Sequence, residues 1–375
     1  MSNKKTYFIT GGGTGGHIYP AVAVADALLK EEDTEQIFYI GNPNNLEASI
    51  VKDKNYKFLP VISSGMPRKL NFTLIKWAFQ MFGAWIKCIF YINKYKPDSI
   101  FGTGGYVSAP ALLAGVVTNT PFVMHDCDAN PGLVTRELSP FAKSISIAFE
   151  IAKDKLKNPN CYVNGNPIRE KFKTLTKLQA KEALGLSDKL TLCIMGGSQG
   201  AKTINESAVK IIKDLSEKLD IQVIFQTGKR NFKTVINEIE KIYPEYKNDK
   251  NLILRPYFED MVTVLKACDI AISRAGSLSI SELCASNVAT IFIPYPYAAQ
   301  DHQRKNAKYM VENGAGLYLE NSDTTPEKLF DMINSLVQDK TRMESIQNAA
   351  SKMAKFDGVQ NIIKQIKSAI VETKN

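Results

Sequence analysis

The feature that most constrains this chain of 375 residues is a glycine-rich loop that occurs twice, once in each half. The first loop is residues 11–17 (GGGTGGH) and the second is residues 196–200 (GGSQG). Each follows a short apolar run and precedes helix-compatible sequence, at 21–30 and 202–215. A strand that turns through glycines into a helix leaves unpaired N–H groups at the positive helix end, which suits phosphate. The repeat predicts two similar α/β domains facing a cleft that holds the ligand.

Strand-like runs alternate with helix-like segments along the whole chain. The runs are 7–10, 37–40, 58–62, 99–101, 122–124, 144–147 and 162–164, then 190–195, 222–226, 252–254, 270–273, 290–293 and 316–319. This alternation predicts parallel sheets with helices on both faces, and therefore two doubly wound, Rossmann-like domains. A turn signal at 165–167 predicts the boundary, with an N-terminal domain at 1–165 and a C-terminal domain at 166–357.

The composition narrows the class of protein. With 44% hydrophobic and 23% charged residues, the chain reads as an ordinary globular protein. A formal net charge of +9 favours an anionic partner, but no nucleic-acid-binding motif accompanies it. The six cysteines form no C-x-x-C pair and only three histidines are present, so we expect reduced, mostly buried thiols and no metal site. No apolar run reaches the roughly 18 residues of a membrane span, and the N-terminus indicates no signal peptide.

Residues 68–96 depart from the alternating pattern. At about 100° per residue, Lys76, Gln80, Gly83, Lys87 and Lys94 share one narrow stripe, and most other positions are apolar or aromatic. A core helix needs a much narrower apolar arc, whereas tryptophan, phenylalanine and lysine together are typical of an anionic bilayer interface. A fully buried helix and a protein–protein contact are the alternatives. The predicted membrane patch comprises Lys69, Leu74, Ile75, Trp77, Phe82 and Trp85.

The first glycine loop also satisfies the G-x-G-x-x-G pattern of dinucleotide-binding proteins, through Gly11, Gly13 and Gly16. That fingerprint requires an acidic residue at the end of the second strand, where it holds a ribose hydroxyl. Here the second strand ends in Gly41-Asn42, and the nearest acid, Glu35, lies before the strand. The sequence therefore disfavours a nicotinamide or flavin enzyme, and we predict no cofactor.

Two side chains are candidates for chemistry. His17 stands at the mouth of a helix, and a neutral imidazole there suits a general base. The sequence does not show whether Asp26 orients it. The other histidines, His125 and His302, read as structural. In residues 273–282 (SRAGSLSISE), a second small-residue turn leads to Glu282, whose carboxylate fits the paired hydroxyls of a ribose. The alternative for Glu282 is a helix-dipole contact.

Together the motifs resemble those of the MurG family, the bacterial N-acetylglucosaminyltransferases of glycosyltransferase family 28. The matching segments are 11–17, 102–110 (GTGGYVSAP), 165–169 (GNPIR), 196–201 (GGSQGA), 273–282, and 301–303 (DHQ) with 306–307 (NA). The resemblance spans residues 6–319 and implies the GT-B fold, with a C-terminal helix at 358–375 that joins the first domain. It also implies inverting, metal-independent transfer of GlcNAc from UDP-GlcNAc to the C4 hydroxyl of the MurNAc-peptide of lipid I, which gives lipid II.

The resemblance also implies roles for particular residues. Glu282 would hold the ribose, the Phe258 backbone the uracil, and Gln303 the GlcNAc hydroxyls, with His17 as the base for the acceptor. The implied UDP-GlcNAc contacts are Thr14, Gly15, Gly16, Asp128, Arg169, Ser198, Phe258, Ser277, Leu278, Ser279, Ile280, Ser281, Glu282 and Gln303. The implied acceptor loops contain Gly12, Gly13, Gly104, Gly105 and Tyr106. Residues 126–128 (DCD) stand where many members of the family have Glu-Gln-Asn, so Asp128 takes the place of an asparagine expected to contact the donor sugar. A carboxylate accepts hydrogen bonds but cannot donate them, so the contact there would be reversed.

The partners that follow are UDP-GlcNAc, lipid I, an anionic membrane surface and proteins of wall synthesis and division, with no nucleic acid. The implied location is the cytoplasmic face of the bacterial plasma membrane, held peripherally. Two other interpretations stay open: a GT-B glycosyltransferase with a different lipid acceptor, and a catalytically silent UDP-sugar-binding regulator.

Overall fold

The computed structural model describes residues 4–67, 72–197 and 199–374 of the chain. These residues form two compact units. Unit 1 runs to Ile168 and takes up the chain again from Asp357, and unit 2 comprises Arg169–Phe356. Residues 166–168 thus belong to unit 1, although the sequence analysis assigned them to the second domain. The physical reason is the Asn166 side chain, whose Oδ1 lies 3.0 Å from Nε2 of the buried His125 in unit 1.

Unit 1 is built on a seven-stranded sheet in which all neighbouring strands are parallel. Its strands are β1 (Lys5–Thr10), β2 (Thr34–Gly41), β3 (Lys57–Pro60), β4 (Ser99–Gly102), β5 (Phe122–Asp126), β6 (Ser144–Ile147) and β7 (Cys161–Val163), in the order β3-β2-β1-β4-β5-β6-β7. The helices are α1 (Gly15–Leu28), α2 (Leu46–Val51), α3 (Phe72–Tyr95), α4 (Ala109–Val117) and α5 (Leu133–Leu138). The reversal of strand order between β1 and β4 is the topological switch point of a doubly wound sheet.

Unit 2 repeats this plan with a six-stranded parallel sheet. Its strands are β8 (Thr191–Met195), β9 (Gln222–Gln226), β10 (Leu252–Arg255), β11 (Ile270–Ser273), β12 (Ala289–Phe292) and β13 (Leu317–Tyr318), in the order β10-β9-β8-β11-β12-β13. Its helices are α6 (Lys171–Thr174), α7 (Lys177–Leu184), α8 (Lys202–Leu219), α9 (Phe232–Ile242), α10 (Met261–Ala267), α11 (Ser277–Ala285), α12 (His302–Glu312), α13 (Pro326–Gln338) and α14 (Lys340–Met353). Short 3-10 helices occur in both units. Those of unit 1 are Ser139–Phe141 and Glu150–Lys155, and those of unit 2 are Pro244–Asn248, Ala299–Asp301 and Asn321–Asp323.

The last helix, α15 (Gly358–Lys374), follows unit 2 in sequence but packs in unit 1. Its apolar face, which includes Ile362 and Ile366, joins the core that α1 forms against β1 and β2. A second core, on the other sheet face, is filled from α3 and α4. Because both faces of the sheet are covered, the strands read as continuous apolar runs.

Each strand-like run of the sequence corresponds to an observed strand, with ends that differ by a few residues. The start of α1 differs more, because the helix begins at Gly15 and not at 21. Glycine is a poor helix former and Pro20 resembles a helix start, so the local sequence indicated a later beginning. As a result His17 lies in the first turn of α1.

Two expectations from composition can be compared with the structure. All six cysteines are buried and free of disulfides. Across the described parts of the chain, no helix has the length and apolar character needed to cross a bilayer.

Candidate active site

The first glycine loop connects β1 to α1 and packs against the buried carboxylate of Glu47, a residue that the sequence analysis did not identify. The backbone N–H of Gly13 donates to Oε2 of Glu47 at 3.2 Å, and that of Asn42 donates to Oε1 at 3.1 Å. A Cβ atom at Gly12 would lie 2.6 Å from Oε1, so only glycine fits there. Gly13 has a φ of 84°, in the region that glycine tolerates. The only sequence signal for Glu47 is an acidic residue shortly after β2.

The loop between β4 and α4 meets the first glycine loop. Gly105, with a φ of 74°, packs so closely that an added Cβ would lie 2.9 Å from the Gly12 carbonyl oxygen and 3.0 Å from Cδ2 of His17. The Tyr106 ring lies against Gly13, where a Cβ would approach Cε1 at 3.0 Å. The structure therefore brings together the residues assigned to the acceptor loops, which are Gly12, Gly13, Gly104, Gly105 and Tyr106.

His17 is half-buried at the centre of these loops. Its carbonyl oxygen accepts from Oγ1 of Thr103 at 2.6 Å, and its Nδ1 lies 4.0 Å from Sγ of Cys127. Within the described residues, no hydrogen-bond partner lies on Nε2. Asp26 pairs with Nζ of Lys54 at 2.5 Å, so the thiol and not this carboxylate contacts the imidazole.

The loop after β5 places Asp128 behind Cys127, with Oδ2 at 3.7 Å from Sγ. Asp126 stabilises this loop, because its two carboxyl oxygens accept hydrogen bonds from the N–H groups of Asp128 and Gly132 at 3.1 Å each. Burial, and then the negative charge of Asp128, raise the pKa of Asp126. Backbone N–H groups therefore hold the carboxyl of Asp126, and among the described residues it has no ion pair with a lysine or arginine.

The other two histidines have the structural surroundings that the sequence indicates. His125 is fully buried, with Nδ1 3.0 Å from Oγ of Ser146 and Nε2 3.0 Å from Oδ1 of Asn166. Burial lowers the pKa of His125 to about 4, so the ring is neutral at neutral pH. His302 places Nδ1 2.7 Å from the Ala299 carbonyl oxygen.

In unit 2 the second glycine loop leads from β8 into α8, which begins at Lys202 as predicted. A Cβ atom at Gly200 would lie 2.0 Å from the Thr227 carbonyl oxygen, so this glycine permits the close approach of two loops. Ser198, assigned to the donor, lies outside the described residues. Phe258 is buried, and its N–H donates to Oε1 of Gln226 at 3.0 Å.

The small-residue turn after β11 opens onto α11, whose first turns hold Ser277, Leu278, Ser279, Ile280 and Ser281. Glu282 follows in the second turn, and its Oε1 accepts from Nη2 of Arg169 at 2.9 Å. Burial raises the pKa of the Glu282 carboxyl, and the positive charge of Arg169 opposes that shift. Two residues assigned to the donor are thus paired directly.

Gln303 lies in the first turn of α12, after a loop in which Gln300 and Asp301 have φ values of 52° and 57°. Left-handed conformations at such residues store strain and cluster at functional sites. Oε1 of Gln303 accepts from the Tyr295 N–H at 2.9 Å, which directs the amide nitrogen of Gln303 elsewhere.

Helix α3 presents an apolar stripe to solvent. Phe72 is 88% exposed and Phe79 is 75% exposed, and the stripe continues through Ile75, Phe82, Ile86 and Phe90. Of the predicted patch, Ile75 and Phe82 lie on this stripe, whereas Leu74, Trp77 and Trp85 are half-buried. Nε1 of Trp77 donates to the Ser64 carbonyl oxygen at 2.8 Å, and Trp85 packs on the core. Lys69 lies outside the described residues.

Comparisons with known proteins agree with this geometry. The glycosyltransferase family 28 N-terminal domain matches residues 7–147, and the C-terminal domain of the same family matches residues 191–366. A Desulforamulus reducens protein named UDP-N-acetylglucosamine--N-acetylmuramyl-(pentapeptide) pyrophosphoryl-undecaprenol N-acetylglucosamine transferase is 34% identical over 96% of this chain and 98% of its own length. A Thermoanaerobacter sp. protein of the same name is 35% identical over 96% and 99%. The crystal structure of Acinetobacter baumannii MurG matches with a TM-score of 0.77 and 25% identity, over 97% of this chain and 99% of that one.

Proposed function

The chain belongs to the MurG family within glycosyltransferase family 28, and on that premise we propose that it transfers GlcNAc from UDP-GlcNAc to lipid I. The acceptor group is the C4 hydroxyl of the MurNAc-peptide, and the product is lipid II for peptidoglycan synthesis. The observation that carries the proposal is the set of contacts that bring His17 against the loops of Gly12, Gly13 and Gly105 in unit 1.

Unit 2 binds the donor in this proposal. The carboxylate of Glu282 accepts the ribose hydroxyls, and Arg169, which already touches that carboxylate, adds positive charge for the diphosphate. The Phe258 N–H is taken by Gln226, so its carbonyl oxygen is the backbone group for the uracil N–H. The amide nitrogen of Gln303 donates to a GlcNAc hydroxyl, because its oxygen is held by Tyr295.

The chemical step needs one base and a stabilised leaving group. Nε2 of His17, which has no partner among the described residues, takes the proton of the acceptor hydroxyl as its oxygen attacks the anomeric carbon. The bond from that carbon to the UDP oxygen breaks with inversion, and UDP leaves with the bonding electrons. Arg169 and the N-terminal amides of α11 stabilise its charge, which is the support for transfer that needs no divalent ion.

Because the proposed acceptor is a membrane lipid, the exposed apolar stripe of α3 is the surface that contacts the membrane in this proposal. Phe72, Phe79 and Phe82 enter the bilayer interface, while Lys76 and Lys87 beside them face anionic head groups. The cytoplasmic leaflet carries negative surface potential, which supports a peripheral location on the cytoplasmic face of the plasma membrane. Proteins of wall synthesis and division are further proposed partners.

The test is UDP release from UDP-GlcNAc by purified protein, with and without a lipid I analogue, in the presence of EDTA. Acceptor-dependent release that survives EDTA is expected. Release that requires a diacylglycerol acceptor instead would identify a glycosyltransferase with another lipid substrate. Donor binding without release with either acceptor would favour the silent regulator.

A further inference from the structure

Glu47 is a buried carboxylate that neither the sequence motifs nor the proposed chemistry uses. It occupies the second position of α2, and its side chain has no exposed surface. Among the described residues, it forms no ion pair with lysine or arginine. A buried charge is costly unless hydrogen bonds compensate it, so its partners must be kept in place.

Those partners are backbone groups of the site itself. The two carboxyl oxygens of Glu47 accept from the Gly13 and Asn42 N–H groups at 3.2 Å and 3.1 Å, so each oxygen serves as an acceptor for one backbone amide. The bond to Gly13 holds the amide of a residue whose φ is 84°. Glu47 therefore fixes the loop at the point where its backbone turns.

Close packing carries this constraint to His17. Gly12 rests on the Glu47 carboxylate, its carbonyl oxygen meets Gly105, and Gly105 lies against Cδ2 of His17. A Cβ atom on Gly12 or Gly105 would make a contact of 3.0 Å or less. The residues between the Glu47 carboxylate and the His17 imidazole are therefore in close van der Waals contact, so a shift at one end displaces the other.

Two residues near Glu47, Tyr39 and Asn45, form further hydrogen bonds to the glycine loops. The hydroxyl of Tyr39 donates to the Gly11 carbonyl oxygen at 2.6 Å. Burial, and then the negative charge of Glu47, raise the pKa of Tyr39, which keeps the phenol protonated as a donor. Nδ2 of Asn45, two residues before Glu47, donates to the Tyr106 hydroxyl at 3.1 Å.

We propose that Glu47 is a positioning residue of the transferase, which sets the backbone of Gly12 and Gly13 and, through Gly105, the imidazole of His17. The inference rests on the proposed function. It also assigns the Gly13 N–H to Glu47, so this amide is already hydrogen-bonded and is not one of those that meet a bound pyrophosphate.

The test is Glu47→Gln, which keeps the shape but turns one acceptor oxygen into an NH2 group facing a backbone N–H. We expect turnover with the lipid I analogue to fall about tenfold to a hundredfold, the equivalent of one unsatisfied buried group. The Kd and binding stoichiometry for UDP-GlcNAc stay unchanged. Rates are compared at a temperature at which wild type and both variants are folded by thermal unfolding, because donor binding in unit 2 does not report the folding of unit 1. The exposed Glu35→Gln has the same charge change and is the matched control.

A second readout does not depend on activity. With three histidines in the chain, the Cε1–H signal of His17 can be assigned by substitution and followed by NMR. Glu47→Gln should shift it and Glu35→Gln should not. If Glu47→Gln folds poorly, Tyr39→Phe, which removes the bond to Gly11, should shift the same signal. An unshifted His17 signal together with wild-type turnover would overturn the inference. If wild type itself shows no lipid I-dependent turnover but Glu47→Gln still shifts the His17 signal, the proposed function is rejected and the positioning of His17 by Glu47 is supported.

Discussion

At the scale of single residues, His17 and His125 show how surroundings assign different roles to one side chain. His125 has both ring nitrogens occupied in a fully buried site, and burial lowers its pKa to about 4. His17 is half-buried, and of its two ring nitrogens only Nδ1 has a hydrogen-bonding neighbour within the described residues, the thiol of Cys127. A base must reach the proton it removes, so only His17 suits the reaction.

We expect His17→Ala to lower the rate of transfer by about a hundredfold to ten-thousandfold, the usual contribution of a general base. The Kd for UDP-GlcNAc should stay unchanged, because the donor residues of unit 2 are untouched. Steady-state UDP release and calorimetric donor titration measure the two quantities. Nearly intact transfer would show that another group takes the proton.

His125 should make stability depend on pH. Its pKa is about 4 in the folded protein and 6.5 in the unfolded chain, so the unfolded chain binds more protons between those values. The contribution of neutral His125 to the free energy of unfolding is therefore complete above pH 6.5, and it is lost as the pH falls from 6.5 towards 4. At about 1.4 kcal/mol per pH unit, the loss is on the order of 3 kcal/mol. Denaturant titrations at pH 7 and pH 5 should show a smaller pH effect in His125→Gln. An equal effect would mean that other groups cause it.

At the scale of elements, α11 and α3 each present a surface set by helical spacing. The start of α11 presents the N–H groups of a first helical turn, and Glu282 lies one turn further along, paired with Arg169. On α3, apolar side chains at 72, 75, 79, 82, 86 and 90 recur every three or four residues and form one exposed stripe. An apolar stripe in water marks an interaction surface.

Glu282→Gln should weaken UDP-GlcNAc binding by roughly tenfold to a hundredfold, since hydrogen bonds to charged groups contribute about 1.5–3 kcal/mol. The loss should be much smaller with a 2′-deoxyribose donor, because the contact removed is the one to the ribose. Isothermal titration of both donors measures this coupling. Glu312→Gln, at the exposed end of α12, is the control. Equal losses for both donors would argue against ribose recognition.

Replacing Phe79 and Phe82 together by Asp should reduce binding to vesicles that contain phosphatidylglycerol by more than about tenfold, because each buried phenylalanine contributes on the order of 2 kcal/mol. Transfer to a short-chain acceptor in solution should stay unchanged. Vesicle sedimentation provides the measurement. Ile242→Asp, on exposed α9 of unit 2, is the matched control. Wild-type sedimentation of the double variant would exclude the stripe as the membrane surface.

At the scale of the whole molecule, the chain leaves unit 1 after Ile168 and returns to it at Asp357. Helix α15 supplies Ile362, Ile366 and Ile370 to the unit 1 core. The stability of unit 1 therefore depends on residues that follow unit 2 in the sequence. Its loops position His17, whereas Arg169 and Glu282 belong to unit 2.

Ile366→Ala removes a fully buried side chain and should lower the stability of unit 1 by about 2–5 kcal/mol. Thermal unfolding should show a lower midpoint for the protein. At temperatures below that transition, the Kd for UDP-GlcNAc should match wild type. The exposed Val371→Ala on the same helix is the control. An unchanged midpoint would mean that α15 adds little to the core.

The sequence by itself determined the elements and the class of the site. Continuous apolar runs between glycine turns specify buried parallel strands, and the motifs at 11–17 and 273–282 identify the loops, because strand and turn preferences act within a few residues. What lies farther apart was decided only by tertiary structure. Glu47 reaches Gly13 across 34 residues, Cys127 takes the place beside His17 that Asp26 was a candidate for, and Trp77 turns inward while Phe79 faces solvent. Such contacts depend on how whole elements pack, and burial then sets which polar groups must pair.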